Sequence, residues 1–193
     1  MNLLRMFSWE KYKGEPGYLK KQRRWELART ILYFVLALGV FFLALSYFKT
    51  RANIFTVFAV LLCLPGSKSL VETVMFYRYQ GCDEGTAARI LEASGHLCGS
   101  FDRVFTSSSK NFPILHLALS QGKMAALTAD PAFDDKAFSE HLKTLLNQEH
   151  LKVPVIKVYR QEEDYLNRLK EMKPSAEEEA SRRILTVLHQ VSL

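Results

Sequence analysis

Two long apolar runs follow one another near the start of the chain. The first, Thr30 to Phe48, contains no charged residue, and as an α-helix it would rise about 28 Å, close to the hydrocarbon thickness of a bilayer. The second starts at Ala52 and stays uncharged until Lys68, whose ammonium can reach back to the headgroups. Because only a short polar turn separates the runs, the pattern predicts an antiparallel transmembrane hairpin with spans at about 30–48 and 52–67.

The stretch from Ser67 to Tyr79 carries apolar residues at helical spacing between charged ones. It predicts an interfacial helix, with Pro65 as the bend that separates this helix from the second span. The predicted organisation is therefore a basic juxtamembrane segment at 1–29, a hairpin with its interfacial helix at 30–78, and a soluble domain at 79–193.

From Asp83 onward the pattern changes to short helical and extended segments. Asp83 predicts a helix N-cap, and Gly95 predicts the end of that helix. Three extended segments follow at 101–106, 112–119 and 123–128, and the short turn before the third contains Gly122, which favours a hairpin. Three strands in succession predict a meander.

The remainder of the chain alternates again between helical and extended patterns. Apolar residues recur at helical spacing over 132–146, a β-branched segment covers 153–159, and a further helix is predicted at 162–172. A last helix is predicted to begin at Ser175, with Glu178 completing a capping box. The predicted fold class is thus a two-helix transmembrane hairpin followed by a small α+β domain, with the order α-β-β-β-α-β-α-α and one mixed sheet packed on helices.

Charge is concentrated beside the apolar runs. The whole chain has a formal net charge of +6, and the 29 residues before Thr30 hold eight basic residues against three acidic ones. From Tyr79 to the end, 14 basic residues face 16 acidic ones, so no nucleic-acid partner is expected for the soluble domain. The basic flanks predict a multi-pass membrane protein with both termini cytoplasmic. A cleavable signal peptide is disfavoured, because the preceding region is long and a second apolar run follows directly.

Basic and aromatic side chains next to the runs form a candidate binding site for lipid headgroups. Each basic side chain near an anionic leaflet contributes about 1 kcal/mol of attraction. The alternative is a plain topology signal with no specific lipid contact. The candidate residues are Lys20, Lys21, Arg23, Arg24, Trp25, Arg29 and Lys68.

The order of elements in the soluble domain is similar to the core of the restriction-endonuclease-like fold. The resemblance implies an Asp on one strand and an acid-x-Lys triplet on the next, which together hold a divalent metal. Asp102 falls on the first predicted strand, but the second strand, around His116, has neither an acid nor a lysine. Lys123 closes a Gln-x-Lys triplet that falls in the predicted turn. We therefore expect a catalytically empty sheet, with Asp102 and Lys123 as the catalytic candidates of the alternative reading.

The sequence contains few other residues that could form a metal or cofactor site. Cys82, His96 and Cys98 lie close in sequence but form no CxxC pair, so no zinc site is expected, and no cofactor motif occurs. In a cytoplasmic domain these thiols stay reduced. His116, on a strand of apolar neighbours, is expected to be a half-buried sheet residue.

The sequence favours a non-enzymatic, membrane-anchored protein. Its α+β domain is presented at the bilayer surface, where it binds another protein or copies of itself, and anchoring raises its effective concentration there. One alternative is a degenerate or active metal-dependent nuclease or phosphodiesterase. Another is an accessory subunit of a membrane transport or secretion complex. In the favoured hypothesis the hairpin is also expected to pack on a larger membrane complex through the small residues Ala37, Gly39 and Ala44 of the first span.

Overall fold

The computed structural model describes residues 13–49, 53–95, 97–107, 110–173 and 178–192. These residues fall into two compact units, which we call the hairpin unit (19–80) and the sheet unit (13–18 together with 81–192). They form six helices and four strands: α1 Tyr18–Phe48, α2 Ile54–Arg78, α3 Glu84–Ser94, β1 Cys98–Thr106, β2 Asn111–Ser120, β3 Lys123–Leu127, α4 Asp135–Gln148, β4 Val155–Tyr159, α5 Glu162–Glu171 and α6 Glu178–Val191.

The hairpin unit consists of two long antiparallel helices. The 31 residues of α1 and the 25 residues of α2 correspond to about 46 Å and 37 Å of helix, so both continue beyond the predicted spans. Asn53 begins α2 as an N-cap, because its side chain accepts a hydrogen bond from the Thr56 amide at 2.9 Å. At the same end of the hairpin, the rings of Phe48 and Phe55 stack at 5.5 Å between centroids.

Helix α2 runs without interruption through Pro65. The predicted bend and separate interfacial helix are therefore replaced by one continuous helix. Proline removes one intrahelical hydrogen bond but does not by itself end a helix whose neighbouring turns are intact. Here the side chain of Ser67 donates to the Cys63 carbonyl at 2.8 Å, one of the local bonds that accompany the proline.

Small buried residues mark the sides of the two helices that are turned away from solvent. They are Ala37 and Ala44 on α1 and Ala59 and Gly66 on α2, each pair seven residues apart. The sequence predicts that Ala37 and Ala44 contact a larger membrane complex, but in the structure both are buried within this chain. A Cβ atom on Gly66 would lie 3.5 Å from the Tyr33 Cβ, an ordinary packing distance.

The outward sides of both helices are apolar. Only 11% of the most apolar 18-residue window of α1 and 17% of that of α2 are buried, although large side chains fill these windows. A core helix of a soluble domain would be mostly buried instead. The chain therefore contains two helices that are long and apolar enough to cross a membrane.

The sheet unit contains one mixed four-stranded sheet in the order β1-β2-β3-β4. Strands β1, β2 and β3 form the predicted antiparallel meander, and β4 returns parallel to β3 after α4. Gln121 and Gly122 form the two-residue turn between β2 and β3, with φ of 48° and 69°. Positive φ at both positions is the type I′ geometry that matches the twist of a hairpin, so the expectation for Gly122 is confirmed.

Helices cover both faces of the sheet. On one face Phe105, Ile114 and Met124 pack with Phe138 of α4 and Leu188 of α6. The other face packs with α3 and α5 through a second cluster, whose buried members include Ile90, Phe101, Ala118, Ala125 and Leu169. The predicted packing of one mixed sheet on helices is confirmed, as three layers. The predicted N-cap at Asp83 is also present, because its carboxylate accepts from the Thr86 amide at 2.9 Å. The predicted start at Ser175 lies outside the described residues.

A short segment before α1 belongs to the sheet unit. We call residues 13–18 the strap. The Gly14 carbonyl accepts a hydrogen bond from the Phe101 amide at 3.0 Å, and the Lys13 ammonium donates to the Ser192 carbonyl at 2.9 Å. Of the predicted juxtamembrane segment 1–29, the described residues 13–18 form the strap and residues 19–29 lie in α1. Both ends of the hairpin unit are consequently joined to the same sheet unit.

Candidate functional site

Asp102, the first catalytic candidate, is fully buried in β1. Its carboxylate accepts a hydrogen bond from the Cys82 amide at 2.6 Å, and its backbone has a φ of 52°, which aspartate tolerates better than most residues. A Cβ atom on Gly81 would lie 2.8 Å from the same carboxylate, so only glycine fits there without a shift. In the structure Asp102 fixes the backbone of the segment that enters α3.

Lys123, the second candidate, is exposed and lies far from Asp102. It pairs with Ser120 at the turn, whereas the neighbours of Asp102 pair with His116 and Ile114. The two residues are thus separated by about five positions along the sheet, roughly 17 Å, and by one intervening strand. Within the described part of the chain, no three His, Cys, Asp or Glu residues come together as a metal site would require. The geometry does not bring the catalytic candidates into one site.

His116 is fully buried, not half-buried as the sequence suggests. Its Nδ1 lies 2.6 Å from the hydroxyl of Tyr165 on α5, and its ring lies 4.2 Å from the ring of Phe101 between centroids. Burial lowers the pKa of His116 to about 3, and burial also raises the pKa of Tyr165 above its usual value. Both groups are therefore neutral near pH 7, and they join β2 to α5 within the second core cluster.

Arg103 is a buried polar residue that the sequence pattern did not single out. Its guanidinium donates to Ser100 at 2.8 Å, to Ser192 at 3.0 Å, and to Nδ1 of His189 at 2.6 Å. Burial lowers its pKa to about 10, partly offset by Tyr18 and Asp102. An arginine within an apolar strand is the sequence signal that indicates a buried charged side chain with hydrogen-bond partners. Arg103 connects β1 with the C-terminal end of α6.

The sheet unit also has an open cleft of about 640 Å³ between β4 and α5, lined in part by Lys157, Tyr159 and Asn167. Strand β4 is an edge strand in the described sheet. The Val155 amide and the Tyr159 carbonyl bond toward β3, so the backbone groups of Ile156 and Val158 point outward. The strand has only five residues, with Pro154 before it and exposed Lys157 in its middle, features that discourage edge-to-edge pairing.

A polar cluster lies between the helices of the hairpin unit. Arg29 of α1 contacts Glu26 at 2.6 Å and also pairs with Glu72 of α2. Thr30 follows Arg29 in the chain. Its hydroxyl forms hydrogen bonds with the hydroxyl of Ser69 at 2.8 Å and with that of Thr73 on α2. We call this cluster the hairpin clamp; its residues are Gln22, Glu26, Arg29, Thr30, Ser69, Glu72 and Thr73.

The clamp lies where the apolar segments of both helices end. Thr30 begins the apolar run of α1, and its hydrogen-bond partner Ser69 follows the apolar run of α2 by one residue beyond Lys68. The polar boundaries of the two helices are therefore at the same level and are bonded to each other. Such matching is what a hairpin needs if one bilayer is to cover both apolar segments.

The candidate headgroup residues have different surroundings in the structure. Lys20, Lys21, Arg24 and Lys68 are exposed, and Trp25 is half-buried. Arg23 lies over the ring of Tyr77 at 4.6 Å from its centroid. Arg29 differs most from the sequence prediction, because its side chain is only 13% exposed and its partners are the two glutamates of the clamp rather than lipid.

Replacing Arg29 by methionine should destabilise the hairpin. Glu26 is 2% exposed, so removing its cationic partner leaves a buried carboxylate beside a second one, and we expect a loss of about 2–3 kcal/mol. The measurement is the unfolding free energy of the full chain in detergent micelles. The Glu72→Gln change in the Arg29→Met background should recover part of the loss by removing the like charge. Arg23→Met is the control and should cost less than about 1 kcal/mol; equal losses for the two arginines would refute the clamp.

No protein-family model matches this chain, and neither a curated protein nor a solved structure is significantly similar to it.

Proposed function

We propose that this chain is a non-enzymatic membrane-anchored protein, in which the hairpin crosses the bilayer and the sheet unit is presented at its surface. The sheet unit binds another protein there or associates with copies of itself. Both helices are confined by the membrane, so a partner in the same membrane meets the sheet unit at a raised effective concentration.

The observation that carries the proposal is the distribution of polar and apolar surface on α1 and α2. Large apolar side chains such as Val35, Leu43 and Val60 are more than half exposed along the helices. Soluble monomers rarely expose apolar surface this continuous, whereas lipid covers it without cost. The hairpin clamp marks one end of the apolar segments of the two helices, and the N-cap Asn53 lies near their other end.

The basic residues support an orientation with both termini in the cytoplasm. Eight of them precede Thr30, whereas the turn between the helices holds only Lys49 and Arg51. An excess of lysine and arginine beside a span favours the cytoplasmic side. The sheet unit then lies in a reducing compartment, in which the thiols of Cys82 and Cys98 stay reduced.

Fractionation tests the anchoring directly. We expect the full chain to sediment with membranes, to resist extraction by alkaline carbonate, and to be released only by detergent. The Leu38→Arg change places a charge on the exposed apolar side of α1, near the middle of its apolar run, and should reduce membrane insertion, because a central arginine costs about 2.5–3.5 kcal/mol on insertion scales. Lys20→Arg, which preserves charge, is the control. Recovery of the wild-type chain in the detergent-free supernatant would refute the anchoring.

Labelling of single cysteines tests the orientation. In a chain whose three cysteines are replaced by serine, Lys123→Cys should react with a membrane-impermeant maleimide only after the inner leaflet is opened, because Lys123 is exposed on the sheet unit. Lys49→Cys, in the turn between the helices, should react in intact cells. The reverse pattern would overturn the proposed topology but leave the anchoring intact.

Chromatography with light scattering in detergent distinguishes self-association from binding of another protein. A multiple of 22.2 kDa after subtraction of detergent supports self-association, and a monomer that co-purifies with one stoichiometric protein supports a separate partner. A stoichiometric transporter or secretion component would favour the accessory-subunit function. The metal-dependent nuclease alternative gains no support from the separation of Asp102 and Lys123.

A further inference from the structure

The basic residues at the start of α1 have different surroundings although they are close in sequence. Arg23 is engaged by the Tyr77 ring and Arg29 by the hairpin clamp, as described above. Lys20, Lys21 and Arg24 are exposed, and within the described residues none of the three has a carboxylate partner. We call these three residues the basic row.

The basic row lies on the same side of α1 as the exposed apolar residues. Lys20, Arg24, Leu27, Ile31 and Val35 follow one another at intervals of three or four, so they share one side of the helix. The last two are 54% and 60% exposed. The buried residues of α1, at positions 18, 19, 22, 26, 30, 37 and 44, lie on the opposite side. The side that would face lipid therefore continues directly into the basic row, whose three cations have no carboxylate partner among the residues that the structure describes.

The position of the basic row is unfavourable for the helix itself. Helix α1 has no acidic residue in its first turn, where the macrodipole favours anions and disfavours cations. Lysines at this end weaken the helix by some tenths of a kcal/mol each at low salt. Helix stability therefore does not account for three cations here, whereas an external anion would offset both the macrodipole and their mutual repulsion.

Arg24 lies next to the headgroup layer, and the two lysines lie above it on the side away from the hydrocarbon. If hydrocarbon begins at Thr30, Arg24 lies about 9 Å above it and Lys20 about 15 Å above it. The headgroup layer is about 5–8 Å thick on each side of the bilayer. Arg24 is thus within direct reach of phosphates, and the lysines lie within about one Debye length of the charged surface.

We infer that the basic row is a binding site for the headgroups of anionic lipids in the leaflet next to the sheet unit. The inference rests on the proposed anchoring and makes it more specific, because it separates Lys20, Lys21 and Arg24 from the neighbouring arginines. Lipid is favoured over a soluble acidic partner by the continuity of the row with the apolar side of the same helix.

Trp25 provides the probe for this site. It is half-buried and adjacent to Arg24, and the only other tryptophan, Trp9, can be replaced by phenylalanine. The full chain is reconstituted in two sets of vesicles that contain the same mole fraction of brominated lipid. In one set the brominated lipid is zwitterionic, and in the other it is anionic. We expect brominated anionic lipid to quench Trp25 about fivefold or more strongly, the ratio that one well-placed cation supports, and we expect high salt to reduce this preference.

Arg24→Gln and Arg23→Gln form the matched pair. Each removes one positive charge from adjacent positions of the same helix turn, but only Arg24 is in the basic row. The triple change Lys20→Gln, Lys21→Gln, Arg24→Gln should abolish the preference, Arg24→Gln should lower it severalfold, and Arg23→Gln should leave it nearly unchanged. Equal losses for Arg23→Gln and Arg24→Gln would overturn the site, because net charge alone would then explain the preference.

The remaining outcomes separate this inference from the proposed function. A wild-type chain that resists carbonate extraction but shows no anionic preference would overturn the lipid site and leave the anchoring intact. A chain that never enters the vesicles would overturn both. Loss of the preference on addition of soluble glycerol phosphate would assign the row to free phosphate, and its loss on addition of an acidic polypeptide would assign it to a protein; either result overturns the lipid site.

Discussion

Replacing Asp102 by alanine should lower the unfolding free energy of the sheet unit by about 3 kcal/mol. The change leaves the buried Cys82 amide without its acceptor, which costs about 1–3 kcal/mol, and it places alanine at a φ of 52°, which adds about 1–2 kcal/mol. The measurement is hydrogen exchange of the β1 and α3 amides in the full chain in detergent, together with the urea midpoint. Protection of these amides should fall in parallel with global stability.

The matched variant is Asp102→Asn, and it also separates structure from catalysis. Asparagine tolerates positive φ, and its side-chain oxygen can accept from the Cys82 amide, so we expect a loss of about 1 kcal/mol or less. A structural role therefore predicts a severe alanine variant and a mild asparagine variant. A divalent-metal role predicts that both changes abolish metal binding and cleavage. Tight binding of Mg²⁺ or Mn²⁺ that both variants lose would overturn the structural assignment.

Acidification from about pH 7.5 to about pH 5 should destabilise the sheet unit by about 2 kcal/mol through His116. Burial depresses the pKa of this residue to about 3 in the native state, whereas the unfolded chain binds a proton near the usual value of about 6.5. In this pH range His116 therefore binds a proton in the unfolded state but not in the native state. The stability consequently falls as the pH drops from about 6.5 toward about 3. Above about pH 7.5 the contribution of His116 is constant.

The His116→Asn variant isolates this contribution. Its amide can replace Nδ1 in the hydrogen bond with Tyr165 but does not titrate, so the pH dependence should flatten by about 2 kcal/mol across the same interval. His141 is the second histidine with a lowered pKa, also through burial, but it is only partly buried, so His141→Gln should change the slope much less. An unchanged slope in His116→Asn would show that other groups cause the acid sensitivity.

Most elements of the sheet unit could be predicted because their signals are local. The meander at β1, β2 and β3 follows from extended segments with turn residues between them, and the cap at Asp83 follows from its side-chain chemistry. The predictions that were wrong concern where a helix ends and which distant segments contact each other. Pro65 predicts a bend, but α2 continues because the turns around it stay hydrogen-bonded. The strap escaped prediction, since its single backbone bond to β1 has no sequence signature.

The candidate site residues show the same difference between local and distant information. The exposure of Lys20, Lys21 and Arg24 agrees with a headgroup role, because no acidic residue lies beside them in the helix. Arg29 differs from them, because Glu26 lies three residues before it in the helix and its second partner, Glu72, is 43 residues away. Asp102 and Lys123 are only 21 residues apart in sequence, but the strand register separates them.

The sequence by itself determined the two apolar helices, the order and type of the later elements, and the concentration of basic charge beside the first helix. Each of these depends on residues within a few positions of one another, where helix period, strand period and turn chemistry act directly. Only the tertiary structure decided that Asp102 holds the Cys82 backbone, that Arg103 joins β1 to α6, and that Arg29 joins the two long helices. A buried polar group must find its partner wherever packing places one, and the distance along the chain gives no information about that choice.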